Sequence, residues 1–153
     1  MTLHRAEAVD SRRNLRAIMN SLRSSPCGIL FPVHPRTHKM IERFELRNSI
    51  PGSVIMIDPL GYADLLSLIK LSDFVITDSG GVQREAVFMN KPVFIPRPET
   101  EWIDFEKAGR IKVVGYEFEL PASGLTATDP DDNISHLLRP ASAGIAEKLK
   151  TVF

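Results

Sequence analysis

Phe74-Val75-Ile76-Thr77-Asp78-Ser79-Gly80-Gly81-Val82-Gln83-Arg84-Glu85-Ala86 is an apolar run that stops in a polar turn with two glycines and restarts with helical spacing. Two adjacent glycines let the backbone approach a ligand without Cβ obstruction. A helix opening at Gly80 or Gly81 directs its free N–H groups and the positive end of its dipole at an anion, so the stretch has the form of a phosphate cradle. Glu85 then falls one to two turns into that helix, where a carboxylate takes a sugar diol. An ordinary strand-to-helix turn capped by Ser79 or Asp78 fits the same residues equally well. The neighbouring sequence has to decide.

Working outward, strand and helix patterns alternate. Leu15, Ile18, Met19 and Leu22 form one stripe of an amphipathic helix over 14–22, with Asp10 or Ser11 available as its cap. Gly28 to Val33 is a short apolar strand stopped by Pro35, and Lys39, Met40, Ile41 and Phe44 suggest the next helix. Strands follow at 54–57, 74–77, 92–95 and 111–114, with helices at 62–71 and 82–89 between them. Apolar strands separated by helices of about ten residues predict an α/β fold, a parallel sheet covered by helices on both faces. In such sheets ligands sit beyond the carboxyl ends of the strands. The loops His34-Pro35-Arg36, Asp58 to Gly61, Asp78 to Gly81 and Pro96 to Trp102 all fall there. Two closing helices are expected around Ile134, Leu137 and Leu138 and around Ile145, Leu149 and Val152. Only Met1-Thr2-Leu3-His4 precedes the first helix, a strand end rather than a whole strand, so the chain is expected to begin mid-fold.

With 153 residues, the chain has the size of one domain and buries roughly 70% of its unfolded surface. Its 43% hydrophobic and 25% charged residues exclude a disordered chain, and no apolar run approaches the ~20 residues of a membrane helix. Lys plus Arg balance Asp plus Glu at 19 each, which removes the electrostatic footprint of nucleic-acid or anionic-membrane binding. The single cysteine, Cys27, has no disulfide or zinc partner, and a cytoplasmic location is the default expectation.

Thr2-Leu3-His4-Arg5-Ala6-Glu7, Phe31-Pro32-Val33-His34-Pro35-Arg36, Pro59-Leu60-Gly61-Tyr62, Thr77 to Gln83, Lys91-Pro92-Val93 and Gly109 through Gly115 occur in that order. In this order they closely resemble the carboxyl-terminal half of the non-hydrolysing UDP-N-acetylglucosamine 2-epimerases, over residues 2 to about 115. The resemblance implies the Rossmann-like carboxyl-terminal domain of a two-domain, glycosyltransferase-B type enzyme. It also implies a reaction in which UDP is eliminated to give a 2-acetamidoglucal and is added back after proton delivery to the opposite face of C2. By the same resemblance, Ser79, Gly80 and Gly81 bind the diphosphate, Glu85 takes the ribose hydroxyls, and the stretch Leu60 to Leu65 borders the uracil. His4 matches a histidine near the diphosphate with a catalytic or leaving-group role. Arg5 and Glu7 read as a supporting pair that holds the histidine loop, or as an exposed ion pair of little energy. His34 either faces the cleft or satisfies loop carbonyls, and Trp102 either edges the cleft or closes the core.

The family's acid and base carboxylates come from an amino-terminal domain outside these residues. The expected function is therefore the UDP-binding half of a UDP-N-acetylglucosamine 2-epimerase, not competent alone and using no cofactor or metal. A UDP-sugar is the expected ligand, and a homodimer, an amino-terminal domain or a partner chain are the expected macromolecular contacts. A stand-alone nucleotide-sugar binding module and a glycosyltransferase-B donor domain are the alternatives. Two departures stand out. Ala8 replaces a usual asparagine, removing one polar loop contact, and Trp102 replaces an arginine able to meet the nucleotide.

Overall fold

The computed structural model describes residues 1–121, and the two closing helices expected after residue 130 lie outside them. Among the described residues, five short strands, β1 (Ile29–Pro32), β2 (Val54–Ile57), β3 (Val75–Ile76), β4 (Val93–Ile95) and β5 (Ile111–Val113), alternate with helices as the period of the sequence requires. The helices are α1 (Ala6–Val9), α2 (Arg12–Ser21), α3 (Pro35–Arg43), α4 (Tyr62–Leu71), α5 (Gly80–Phe88) and α6 (Ile103–Lys107). Every pairing among these strands is parallel.

The sheet is divided. β1 and β2 form one ladder, and β3, β4 and β5 form another in that order. Among the described residues, only Met1 and Thr2 lie between the two. The Thr2 N–H donates to the Ile76 carbonyl at 2.9 Å, and the Met1 amino group donates to the Leu30 carbonyl at 2.6 Å. Successive residues thus bond to opposite neighbours, as successive residues of a central strand do. The composite order is β2-β1-(Met1, Thr2)-β3-β4-β5. β3 is two residues long rather than the four expected, because Thr77 bridges to Thr2 outside the ladder and Phe74 has no strand partner.

Alternation along β3 and β4 sends consecutive side chains to opposite faces. Ile76 and Phe94 join one buried cluster with Leu3, Leu15, Ile18 and Phe31. Val75, Val93 and Ile95 join a second with Ile69, Val87 and Phe105. A strand buried on both faces reads as an unbroken apolar run, which is why Phe74 to Ile76 shows no polar alternation. Ala8 is fully buried in the first cluster, so the small side chain there serves packing.

Local caps set the element boundaries. Ser11 caps α2, its hydroxyl accepting from the Asn14 N–H at 3.3 Å. α3 begins at Pro35, five residues before Met40, the first apolar position that marks it in the sequence. Proline at the first helical position sacrifices an N–H that has no partner anyway, and the His34 Nδ1 accepts from the Arg36 N–H at 3.2 Å. His34 is thus a helix cap, taking an N–H rather than satisfying loop carbonyls. Arg36 turns to Asp10, with both guanidinium Nε and Nη2 on its carboxylate. α1 and α6 are four and five residues long, too short to show a helical stripe in the sequence.

Candidate functional site

Residues from the carboxyl ends of the strands meet in a cleft of about 170 Å3 lined by Thr2, Leu3, His4, Pro32, His34, Pro59, Leu60, Leu65, Ser79 and Val82. Of the residues singled out in the sequence, His4, His34, Leu60, Leu65 and Ser79 are brought together here. The His4 and His34 rings lie 5.7 Å apart, tilted at 41°. Gly80 and Gly81 follow Ser79 at the start of α5, and Glu85 sits on the same helix, one turn beyond the glycines.

The start of α5 separates the two readings of the glycine turn. Ser79 occupies the cap position with extended backbone, yet its side chain accepts no hydrogen bond from the helix. Asp78, the other capping candidate, is directed elsewhere: its carboxylate accepts from the His4 N–H at 2.9 Å and the Arg5 N–H at 2.8 Å. The start of α5 therefore has no side-chain cap, and Ser79 and Val82, which flank the glycines, line the cleft. The Gly80 carbonyl accepts from the Trp102 Nε1 at 2.8 Å, and Trp102 stacks on Phe105 with ring centroids 5.5 Å apart. Trp102 both edges the helix start and closes the second core cluster.

Asp78 was not marked by the sequence as more than a turn residue, although it organises this end of the molecule. It is fully buried, and a buried carboxylate needs donors on its oxygens. Besides the two backbone N–H groups, the His4 Nδ1 lies 3.2 Å from it. One carboxylate at the root of α5 thereby orients the imidazole of a segment 74 residues earlier. Thr77 adds to the seam: its hydroxyl accepts from the Ser79 N–H at 3.0 Å and lies 2.7 Å from the Thr2 hydroxyl.

Arg5 and Glu7 do not pair with each other. Arg5 reaches Glu101 at 2.6 Å, and Glu7 accepts from the Arg97 Nε. Two positions apart at a helix start, their side chains leave on different sides. Arg97, another residue the sequence did not mark, is nearly buried and also donates to Glu101 at 3.0 Å, tying α1 to the loop between β4 and α6. Burial draws the Glu101 carboxyl upward, but hydrogen bonds from its backbone and Arg97 and the charges of Arg97 and Arg5 outweigh it and hold the group below the ordinary range.

Glu85 is partly buried and accepts from the Tyr62 hydroxyl at 2.9 Å, a contact between α5 and α4. The carboxylate holds the Tyr62 phenol above its usual value, first by that hydrogen bond and then by its charge. Gln83 is buried behind the helix start. Its Oε1 accepts from the Thr100 hydroxyl at 2.9 Å, while its Nε2 has no hydrogen-bond partner among the described residues. No group of three or more His, Cys, Asp or Glu side chains is placed to hold a metal among the described residues. No helix there is long and apolar enough to cross a membrane.

Residues 1–128 match the family model described as UDP-N-acetylglucosamine 2-epimerase. The chain is 37% identical over 97% of its length to a UDP-2,3-diacetamido-2,3-dideoxy-D-glucuronate 2-epimerase of Pseudomonas aeruginosa, of which it spans 43%. It is 37% identical over 84% of its length to a UDP-N-acetylglucosamine 2-epimerase homolog of Methanococcus maripaludis, spanning 37% of that protein. Among solved structures, the Methanocaldococcus jannaschii UDP-GlcNAc 2-epimerase in complex with UDP-GlcNAc and UDP superposes with a TM-score of 0.72 at 27% identity. The match covers 89% of this chain and 42% of that one. The chain thus spans less than half the length of these relatives. On the strength of these matches and the α/β parallel-sheet fold, it belongs to the UDP-N-acetylglucosamine 2-epimerase family.

Proposed function

We propose that this chain is the UDP-binding half of a UDP-N-acetylglucosamine 2-epimerase, an enzyme that interconverts the C2 epimers of the sugar by eliminating UDP and adding it back. The observation that carries this reading is the start of α5, which has no side-chain cap and whose Ser79 and Val82 line the cleft together with His4. A diphosphate is the anion that geometry suits, because fixed N–H donors at a helix start stabilise the negative charge that develops on a departing UDP. His4, oriented by Asp78, stands on the same cleft as an N–H donor or cation for the leaving group. Glu85 holds the ribose hydroxyls, and Leu60 and Leu65 form the apolar border for the base.

Acid and base groups for C2 come from the part of the enzyme that these residues do not span. Support for that division comes from the relatives, which are more than twice as long. The names of the P. aeruginosa and M. jannaschii proteins share a UDP-linked sugar and epimerisation at C2 and differ in the sugar. This reading assigns sugar recognition largely to the part of the enzyme that these residues do not span.

Calorimetric titration of the chain with UDP tests the assignment. UDP binds, and Glu85→Ala weakens it by about 1–3 kcal/mol, the loss expected for hydrogen bonds to a charged group. Unchanged affinity in the variant removes Glu85 from the site. In deuterated solvent, the chain alone leaves C2 of UDP-N-acetylglucosamine unlabelled; labelling by the purified chain contradicts the division of labour.

A further inference from the structure

α4 and α5 approach one another beside the cleft, and among the described residues a single side-chain hydrogen bond joins them: the Tyr62 hydroxyl donates to the Glu85 Oε1 at 2.9 Å. Its place follows from helical spacing. Tyr62 opens α4 three residues before Leu65, and Glu85 follows Val82 on α5 by three, so each partner shares a helix face with a residue that lines the cleft. The contact therefore spans the helix that carries one border residue of the base and the helix whose start is assigned to the diphosphate. In a nucleoside diphosphate the ribose is the group between those two ends.

For the fold this contact does little. Tyr62 is 65% exposed, and a phenol there exchanges a protein partner for water at small net cost. For the carboxylate it does more. Glu85 is half-buried, and among the described residues no group other than the Tyr62 hydroxyl donates to its side chain. The neighbouring cation, Arg84, lies over the Phe88 and Trp102 rings at 5.4 Å and 5.9 Å instead. With Oε1 engaged, the plane of the carboxylate is set and Oε2 is left to accept from a sugar hydroxyl. The hydrogen bond to Glu85 and the charge of its carboxylate hold the Tyr62 phenol above its usual value, so it remains a donor at neutral pH. We propose that Tyr62 is a positioning residue for ribose: by holding Glu85 across the junction of α4 and α5, it makes the site select a ribonucleoside diphosphate over one whose sugar lacks hydroxyls. The proposal rests on the reading of Glu85 as the ribose ligand and adds to it the residue that orients that carboxylate. An unrestrained glutamate gives up rotamer freedom when a ligand fixes it, and Tyr62 removes that cost before the nucleotide arrives.

The test compares UDP with 2′,3′-dideoxyuridine diphosphate by calorimetry on the original chain, Tyr62→Phe, Glu85→Ala and the double variant. The original chain prefers UDP by about tenfold or more, the ratio that hydrogen bonds to a carboxylate give. Tyr62→Phe keeps the ring and removes only the donor. It lowers that preference by about threefold or more, through weaker UDP binding alone, because the ligand must now order Glu85 itself. Glu85→Ala abolishes the preference, and adding Tyr62→Phe to it changes nothing further, since the hydroxyl acts only through the carboxylate. The melting temperatures of the original chain and Tyr62→Phe agree. A preference kept in Tyr62→Phe but lost in Glu85→Ala overturns the proposal and leaves the ribose assignment standing. A preference that survives Glu85→Ala removes the ribose assignment, and the proposal with it. Equal weakening of both nucleotides by Tyr62→Phe, with or without a fall in melting temperature, gives the hydroxyl a different task and likewise overturns the proposal.

Discussion

Gly81 separates what the fold needs from what a ligand needs. Its φ is not in the left-handed region, and an added Cβ meets nothing nearer than the Ser79 hydroxyl at 4.0 Å. The polypeptide therefore does not require glycine at this position, whereas a diphosphate approaching the helix start does. Gly81→Ala is expected to leave the melting temperature equal or slightly higher, because alanine is the better helix former by up to about 1 kcal/mol. The same change weakens UDP binding at least several-fold by calorimetry. A large drop in melting temperature with intact UDP affinity reverses both assignments. At this scale the sequence pointed to Ser79, Gly80, Gly81 and His4 because each lies in a compact local motif. It offered Asp78 only as a cap and was silent on Arg97, because the roles of both depend on partners 74 and 90 residues away. Arg5 and Glu7 show the same limit: adjacency in the chain suggested a pair, and the helix start sends them to Glu101 and Arg97.

Among the elements, the join between α1 and α5 matters most for the site. α1 is four residues long and has no side-chain cap of its own at Arg5. The Asp78 carboxylate at the root of α5 takes the N–H groups of His4 and Arg5 just ahead of it. Asp78→Asn replaces one acceptor oxygen with a donor facing those N–H groups inside the core. It is expected to cost about 2 kcal/mol, the usual scale for a buried hydrogen bond to a charged group. Urea unfolding measures this as a lower midpoint at unchanged slope, and a midpoint equal to that of the original chain contradicts the account. β2 and α4 appear where apolar period and turn residues place them, with the bounds read from the sequence. α3 starts earlier than its apolar stripe because a proline and a histidine cap begin it. Strand alternation disclosed neither the division of the sheet nor the shortness of β3, since pairing is a property of two strands and the period reports only one.

For the whole molecule, the parallel α/β architecture and the rim on which His4, His34, Leu60, Leu65 and Ser79 meet followed from the order of apolar runs and helical stripes. The family model and the relatives agree with that architecture. The proposed function turns on one contact, that between a diphosphate and the start of α5. Titrating the isotopically labelled chain with UDP and following its backbone amides by NMR measures this contact directly. The predicted result is saturable, progressive shifts of the Gly80, Gly81 and Val82 amides, accompanied by His4. UDP that leaves these amides unmoved, or that moves only residues distant from the cleft, contradicts the assignment of α5 as the diphosphate cradle.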